Sequence, residues 1–233
     1  MKKIFAFAAL ALSLTLVPAA ALAQDDDVGP PDEGADAATA PAPKAQMRIK
    51  IDYDQTSDLD NLLYLDLSNG ERVPIRLMPD WAPNHVERIK TLTRQGFYDG
   101  VIFHRVIDGF MAQTGDPTGT GQGGSQLPDL AKEFNPMPHV RGTVAMARAQ
   151  TEDSANSQFY LMFYPRFALD RRYTVFGRVI GNMAAVDAIE RGEPPANPTY
   201  IVQASIAADG KAQKFATPTV AAVAQPAASG LSD

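Results

Sequence analysis

The clearest local pattern of apolar runs broken by polar turn residues lies between Leu62 and Leu77. The run LLYLDL (62–67) is followed by Asn69-Gly70 and then by RVPIRL (72–77). Two short apolar runs around an Asn-Gly pair predict a β-hairpin with a type I′ turn. Pro74 removes one ladder donor, which predicts an edge or a bulge there, and Pro79 ends the strand. Val86, Ile89 and Leu92 or Thr93 recur at helical spacing. They predict a helix over Ala82–Gln95, with Pro83 in its first turn and Gly96 just past its end. Alternation marks VIFHRVIDGFMAQTGD (101–116), which predicts a strand from Ile102 to Ile107, a turn at Asp108-Gly109 and a second strand from Phe110 to Thr114. Further strands are predicted over Thr143–Ala147, Gln158–Met162, Tyr173–Val179 and Ile201–Ala207, and a short helix over Met183–Arg191. About eight strands, two helices and no βαβ alternation give a mainly β chain, an antiparallel barrel or closed sheet.

One position breaks the pattern. In strand geometry Arg105 lies on the same face as Phe103 and Ile107, and Phe110, Met111 and Gln113 follow just past the turn. An arginine in that company either forms a buried ion pair that holds a core or is the polar handle of an apolar ligand groove.

The two ends differ from this body. Lys2 and Lys3 precede an apolar run, Ile4 to Val17, too short to span a bilayer; Pro18 breaks it, and Ala21-Leu22-Ala23 is a small-x-small cleavage site. Residues 1–23 therefore read as a signal peptide, and the mature protein as periplasmic or secreted with no membrane span. Residues 24–57 begin as an Ala, Pro and acidic linker expected to be disordered, with a further strand possible at 47–53. The folded domain is assigned to 58–208, and 209–233 to a disordered Ala/Pro-rich tail. Two such ends favour a monomer.

Composition removes several functions. Among 233 residues the formal net charge is −6, with no basic stripe, so nucleic acid is not an expected partner. There is no cysteine, and the three histidines (His85, His104, His139) have no H-x-x-x-H spacing. Disulfides, thiol catalysis and a metal site are therefore not expected. The Gly-rich stretch DPTGTGQGGS (116–125) lacks the lysine of a phosphate loop, so it reads as a surface loop whose backbone approaches a ligand. His104 with Ser154 or Ser157 and Asp99 would be needed for a serine hydrolase, but no Gly-x-Ser-x-Gly elbow exists. His104 reads as structural.

Several separated blocks then share one likeness. FHRVIDGFMAQTGD, GTGQGGS, GTVAMARA, SANSQFY and LDRRYTVFGRV, in this order and spacing from about Asn61 to Ala207, resemble the cyclophilin family of peptidyl-prolyl cis-trans isomerases. The resemblance implies a closed eight-stranded antiparallel β-barrel capped by two α-helices. It also implies rotation of X-Pro bonds in proline-containing peptides and in unfolded or folding proteins, with no cofactor and no metal. Carried over by position, the catalytic arginine is Arg105 and the proline pocket is Phe110, Met111 and Leu169. Substrate-backbone contacts fall on Gln113, Ala147 and Gln158. The aromatic floor, usually Phe, is Tyr160, and Tyr173 replaces a histidine that often closes the pocket. Arg148 stands where asparagine often follows the Met-Ala pair. Ala168, with Phe167 one place earlier, stands where many members have a tryptophan associated with cyclosporin binding.

The chemistry fits those residue types. An X-Pro bond turns in tens to hundreds of seconds because its amide has partial double-bond character. A donor aimed at the proline nitrogen favours the twisted state, in which that nitrogen regains a lone pair. Arginine stays charged and offers a rigid fork of donors for this. Gln113 is expected to orient it and to bond the substrate backbone. A non-catalytic peptide-binding module using the same groove, and a lipocalin-like barrel that encloses a small molecule, are the rival readings.

Overall fold

The structure, a computed structural model, describes residues 49–216; the signal-peptide, linker and tail assignments fall largely outside that range. The predicted hairpin forms with the expected bounds: β1 is Leu62–Leu67 and β2 is Arg72–Leu77, antiparallel with Leu65 opposite Val73. Its turn differs from the expectation. Only Gly70 has a positive φ, 87°, and the Gly70 N–H donates to Leu67 O while the Leu67 N–H donates to Glu71 O. This is a three-residue loop with a bulge at Gly70, so Asn69 is spared the left-handed region that a type I′ turn would impose. Pro74 lies in an interior strand. Its carbonyl accepts the Ile180 N–H at the end of the β2 pairing with a later strand, so the missing donor falls where that ladder stops.

The first helix, α1 (Pro83–Arg94), buries Val86, Ile89 and Leu92. Ala82 has no side chain to cap its N-terminus, and Glu133 does so from a distant loop, accepting the Asn84 and His85 N–H groups. At the other end the Phe97 N–H reaches Leu92 O and the Gly96 N–H reaches Thr93 O, with Gly96 at φ 71°. That closure needs a residue tolerant of positive φ.

The remaining strands are β3 (Arg105–Ile107), β4 (Met111–Thr114), β5 (Thr143–Met146), β6 (Phe159–Met162), β7 (Val175–Val179) and β8 (Ile201–Ile206). All pairings are antiparallel, in the order β3-β4-β6-β5-β7-β2-β1-β8. The sheet is a curled half-barrel and not the closed barrel expected. Its outer strands β3 and β8 do not form a ladder; their neighbouring segments meet at one bridge, Ile102 to Tyr200, flanked by Phe103 N–H to Thr199 O. The predicted first strand of the central stretch loses its leading residues for the same reason. Phe103 leaves the face of Arg105 and Ile107 and enters the main core with Val106 and Tyr98.

The second helix, α2 (Met183–Asp187), is shorter than predicted. Beyond Ala188 the chain turns back to pair Gly192 with Val106, and Arg191 donates to the Asp187 and Ile189 carbonyls that a longer helix would have used. Residues 49–53 carry no strand. They and their neighbours wrap the fully buried Arg76, which donates to the carbonyls of Asp52, Asp54, Ser57 and Asp58.

Two apolar clusters result. The larger fills the inside of the curl beneath α1 and α2. The smaller, including Met111, Ala145, Tyr160, Met162 and Val175, underlies the outer face of β3 to β6, with Phe110, Leu169 and Tyr173 packed against it. The candidate site stands on the second.

Candidate functional site

Sheet register assembles the site. Arg105 is opposite Gln113, Gln113 is opposite Tyr160, and Tyr160 is opposite Ala145, one row across β3, β4, β6 and β5. The next row is Ile107, Met111 and Met162. Cross-strand neighbours share a face, so residues far apart in the chain become the floor of one groove. Phe110 comes from the β3–β4 turn, Ala147 and Arg148 from the exit of β5, and Tyr173 from the entrance to β7. Leu169 sits on the single 3-10 turn Phe167–Leu169.

The groove has a volume of about 280 Å³ and is lined by Arg105, Phe110, Met111, Gln113, Ala147, Arg148, Tyr160, Leu169 and Tyr173. Nine of the ten residues singled out from sequence thus share one wall. The tenth, Gln158, touches it through Gln113, whose Nε2 donates to Gln158 Oε1 at 2.8 Å. Gln158 in turn donates to the carbonyls of Gly121 and Gly123. The Gly-rich loop therefore holds one end of the polar row, and a second, more polar recess of about 460 Å³ opens between it and Arg148.

That loop is shaped by a residue the sequence reading passed over. Asp116 is fully buried and its carboxylate accepts the N–H groups of Thr118, Gly121 and Gly123 and the Thr118 hydroxyl. Burial pushes its carboxyl up, but the bonds from Thr118, Gly123 and Gly121 outweigh that and hold it at about 2.

Arg105 is half-exposed, and its Nε donates to Glu193 Oε2 at 2.8 Å. It is not walled inside the core. Its expected partner Gln113 is turned toward Gln158, and Glu193, from the segment pairing with β3 through Gly192, takes that role. Glu193 was not singled out from sequence, since no local pattern links a loop carboxylate to a strand 88 residues away.

The floor has a support of its own. Tyr160 is buried, and its hydroxyl meets His139 Nε2 at 3.1 Å; His139 Nδ1 meets Asp170 at 2.9 Å. Burial raises the Tyr160 phenol well above its usual value. Burial lowers the His139 value although the Asp170 bond works the other way. The hydroxyl that distinguishes Tyr160 from the usual phenylalanine is thus used behind the groove, where it bonds His139. His104, buried beside Gly121, lies off the groove lining.

A pH dependence follows. The folded state favours neutral His139, so stability is complete above the unfolded value of about 6.5 and falls as pH drops below it, by up to about 1.4 kcal/mol per pH unit. His85 and His104 are lowered in the same direction, also by burial first. Denaturant unfolding from pH 8 to 5 should show this decline, and His139→Gln should make it shallower. An equal slope in both proteins would contradict the assignment.

Comparison with known proteins places this geometry. The family model described as cyclophilin type peptidyl-prolyl cis-trans isomerase/CLD matches residues 63–206. A probable peptidyl-prolyl cis-trans isomerase of Brucella suis is 47% identical over 171 residues, covering 66% of this chain and 87% of the relative. Peptidyl-prolyl cis-trans isomerase B of Bacillus subtilis is 37% identical over 131 residues, 56% of this chain and 91% of that protein. Among solved structures, cyclophilin AquaCyp293 from Hirschia baltica superposes with a TM-score of 0.61 at 31% identity, covering 65% of this chain and 76% of that one. The chain belongs to the cyclophilin-type peptidyl-prolyl cis-trans isomerase family, enzymes that act on proline-containing peptides.

Proposed function

We propose that this isomerase is exported and speeds the folding of exported proteins by turning their X-Pro bonds, with Arg105 as its catalytic residue. The observation that carries the site assignment is the place of the Arg105 guanidinium, at the edge of a groove walled by Phe110, Met111, Tyr160 and Leu169. A pyrrolidine ring in that groove displaces water from apolar walls. Its amide nitrogen then lies within reach of the guanidinium in a lower dielectric than bulk water. With Nε held by Glu193, the two terminal nitrogens remain for substrate: one for the proline nitrogen as it pyramidalises, one for a neighbouring carbonyl. Gln113, held by Gln158, and the backbone at Ala147 bond the extended substrate chain. An acceleration of about 10⁵-fold requires roughly 7 kcal/mol, within reach of a charge-assisted bond made in the twisted state together with apolar grip and desolvation.

A solved relative supports the ligand class: a Cryptosporidium parvum cyclophilin type peptidyl-prolyl cis-trans isomerase, 26% identical with a TM-score of 0.58, was crystallised in the presence of the dipeptide Ala-Pro. Export rests on Lys2-Lys3, the apolar run and the Ala21-Leu22-Ala23 site. No helix among the described residues is long and apolar enough to cross a membrane. The protein acts as a monomer in this reading.

Refolding of a secreted protein limited by X-Pro isomerisation tests the role. Catalytic amounts of the enzyme should speed the slow phase, and the protein recovered from a periplasmic extract should begin at Gln24. A slow phase unaffected by the enzyme, or an intact Met1 in the cytoplasmic fraction, would sink the corresponding half.

A further inference from the structure

Arginine charges are distributed unevenly over this acidic chain. Arg72, Arg94, Arg105, Arg141 and Arg191 each meet a carboxylate within 4 Å. Arg76, Arg88 and Arg178 use their donors on backbone or threonine oxygens within the fold. The four that remain among the described residues, Arg148, Arg166, Arg171 and Arg172, have no carboxylate partner, and all lie on the two segments that frame the groove. Two touch its aromatic walls. The Arg148 guanidinium sits 4.7 Å from the Tyr173 ring centre, and that of Arg166 sits 5.2 Å from the Phe110 ring centre.

Neither charge is matched locally. Arg148 bonds only carbonyl oxygens, of Ala149, Gln150 and Arg172. Of the carboxylates near the groove, Glu193 pairs with Arg105, while Asp170 is hydrogen-bonded by neutral His139 and Asp129, in the adjoining recess, by the Asn156 amide. Ring contacts hold the Arg148 cation in the groove lining and the exposed Arg166 cation beside the Phe110 wall, both within reach of a bound segment's flanks. In a protein of formal charge −6, a rim on which arginines outnumber carboxylates attracts acidic groups and repels ammonium groups.

We propose that the groove selects X-Pro segments flanked by acidic residues, with Arg148 and Arg166 as the residues that set this specificity. The inference rests on the groove being the isomerase site and names its substrate class. Flanking carboxylates complete ion pairs that the fold leaves open, and flanking lysines meet two fixed cations.

The test uses the full chain and three peptides of one frame, a central Ala-Pro bond with Glu, Gln or Lys on both sides. NMR exchange gives kcat/KM and chemical-shift titration gives the affinity. The acidic peptide should exceed the basic one by about tenfold at low ionic strength, and by about twofold or less near 0.5 M salt, as expected for screened rim charges. Arg148→Glu with Arg166→Glu should invert the order. If that pair fails to fold, Arg166→Glu alone, at an exposed position, should cut the ratio about threefold. A ratio within twofold of one in the unmodified protein at low salt, or an acid preference that survives the substitutions, overturns the proposal. If no peptide is isomerised above the spontaneous rate, the catalytic reading fails separately, and the affinity ratio still decides the selection.

Discussion

Arg105→Ala should lower kcat/KM for a short X-Pro peptide by about 10² to 10³-fold, a loss of about 3–4 kcal/mol of transition-state stabilisation. The size follows from the role proposed for the guanidinium. The proline nitrogen becomes a good acceptor only when the amide twists, so the bond to it contributes in the twisted state and little in either planar one. Apolar walls at Phe110, Met111 and Leu169 grip both isomers and so contribute mainly to binding; their loss moves KM more than kcat. Arg105→Lys should be intermediate, since an ammonium keeps the charge and loses the fork that serves nitrogen and carbonyl together. Folding should hardly change. The Arg105–Glu193 pair is half-exposed at both partners, and such pairs contribute about 0–1 kcal/mol. A protease-coupled or NMR exchange assay, run beside a denaturant curve, separates the two effects. Unchanged kcat/KM in a folded Arg105→Ala protein would remove Arg105 from the mechanism. Peptide binding without catalysis in the unmodified protein would favour the rival binding module.

The parts of this site that were legible in the sequence are those with a periodic or block signature. The apolar runs flanking Asn69-Gly70 located β1 and β2 to the residue, and helical spacing with Pro83 and Gly96 located α1. The blocks from Phe103 to Val179 named the groove residues through their resemblance to the cyclophilin family, and the sheet register then sets several of them in one cross-strand row. What stayed hidden is contact between a side chain and distant backbone or loop. The carbonyl cage of Arg76, the Glu133 cap on α1, the Glu193 partner of Arg105 and the Asp170–His139–Tyr160 support each join segments that no local pattern links. Closure was misjudged for a related reason. The closed barrel was expected from the strand count and the cyclophilin resemblance, neither of which says whether the outer strands β3 and β8 pair.

Asp116→Ala should both destabilise the fold and impair catalysis, although Asp116 does not line the groove. Its carboxylate accepts three backbone N–H groups and the Thr118 and Thr120 hydroxyls inside the Gly-rich loop. Bonds to a charged acceptor are the stronger kind, and truncation removes them from a partly exposed loop whose donors water can reach, so a loss of about 2 kcal/mol is expected. No local residue can substitute, because Gly123 lets the carboxylate come so close: a Cβ there would lie 2.2 Å from Asp116 Oδ1. Catalysis suffers through a chain of contacts. The Gly121 and Gly123 carbonyls hold Gln158, and Gln158 holds Gln113 in the row with Arg105. With the loop released, Gln113 loses its fixed orientation, and kcat/KM should fall about tenfold, since a displaced positioning group costs rate without removing the catalytic one. Asp116→Asn keeps one acceptor oxygen and should lose less of both. The sign with pH is a separate check. The folded value of about 2 lies below the usual 3.8, so this carboxylate stabilises the fold fully above pH 3.8 and progressively less as pH falls toward 2. Acid unfolding of the Asn variant should therefore be shallower across that window, while hydrogen exchange at Thr118, Gly121 and Gly123 should quicken at neutral pH. If both variants match the unmodified protein in stability and in kcat/KM, the loop does not hold Gln158, and the polar row of the groove must be fixed by the sheet alone.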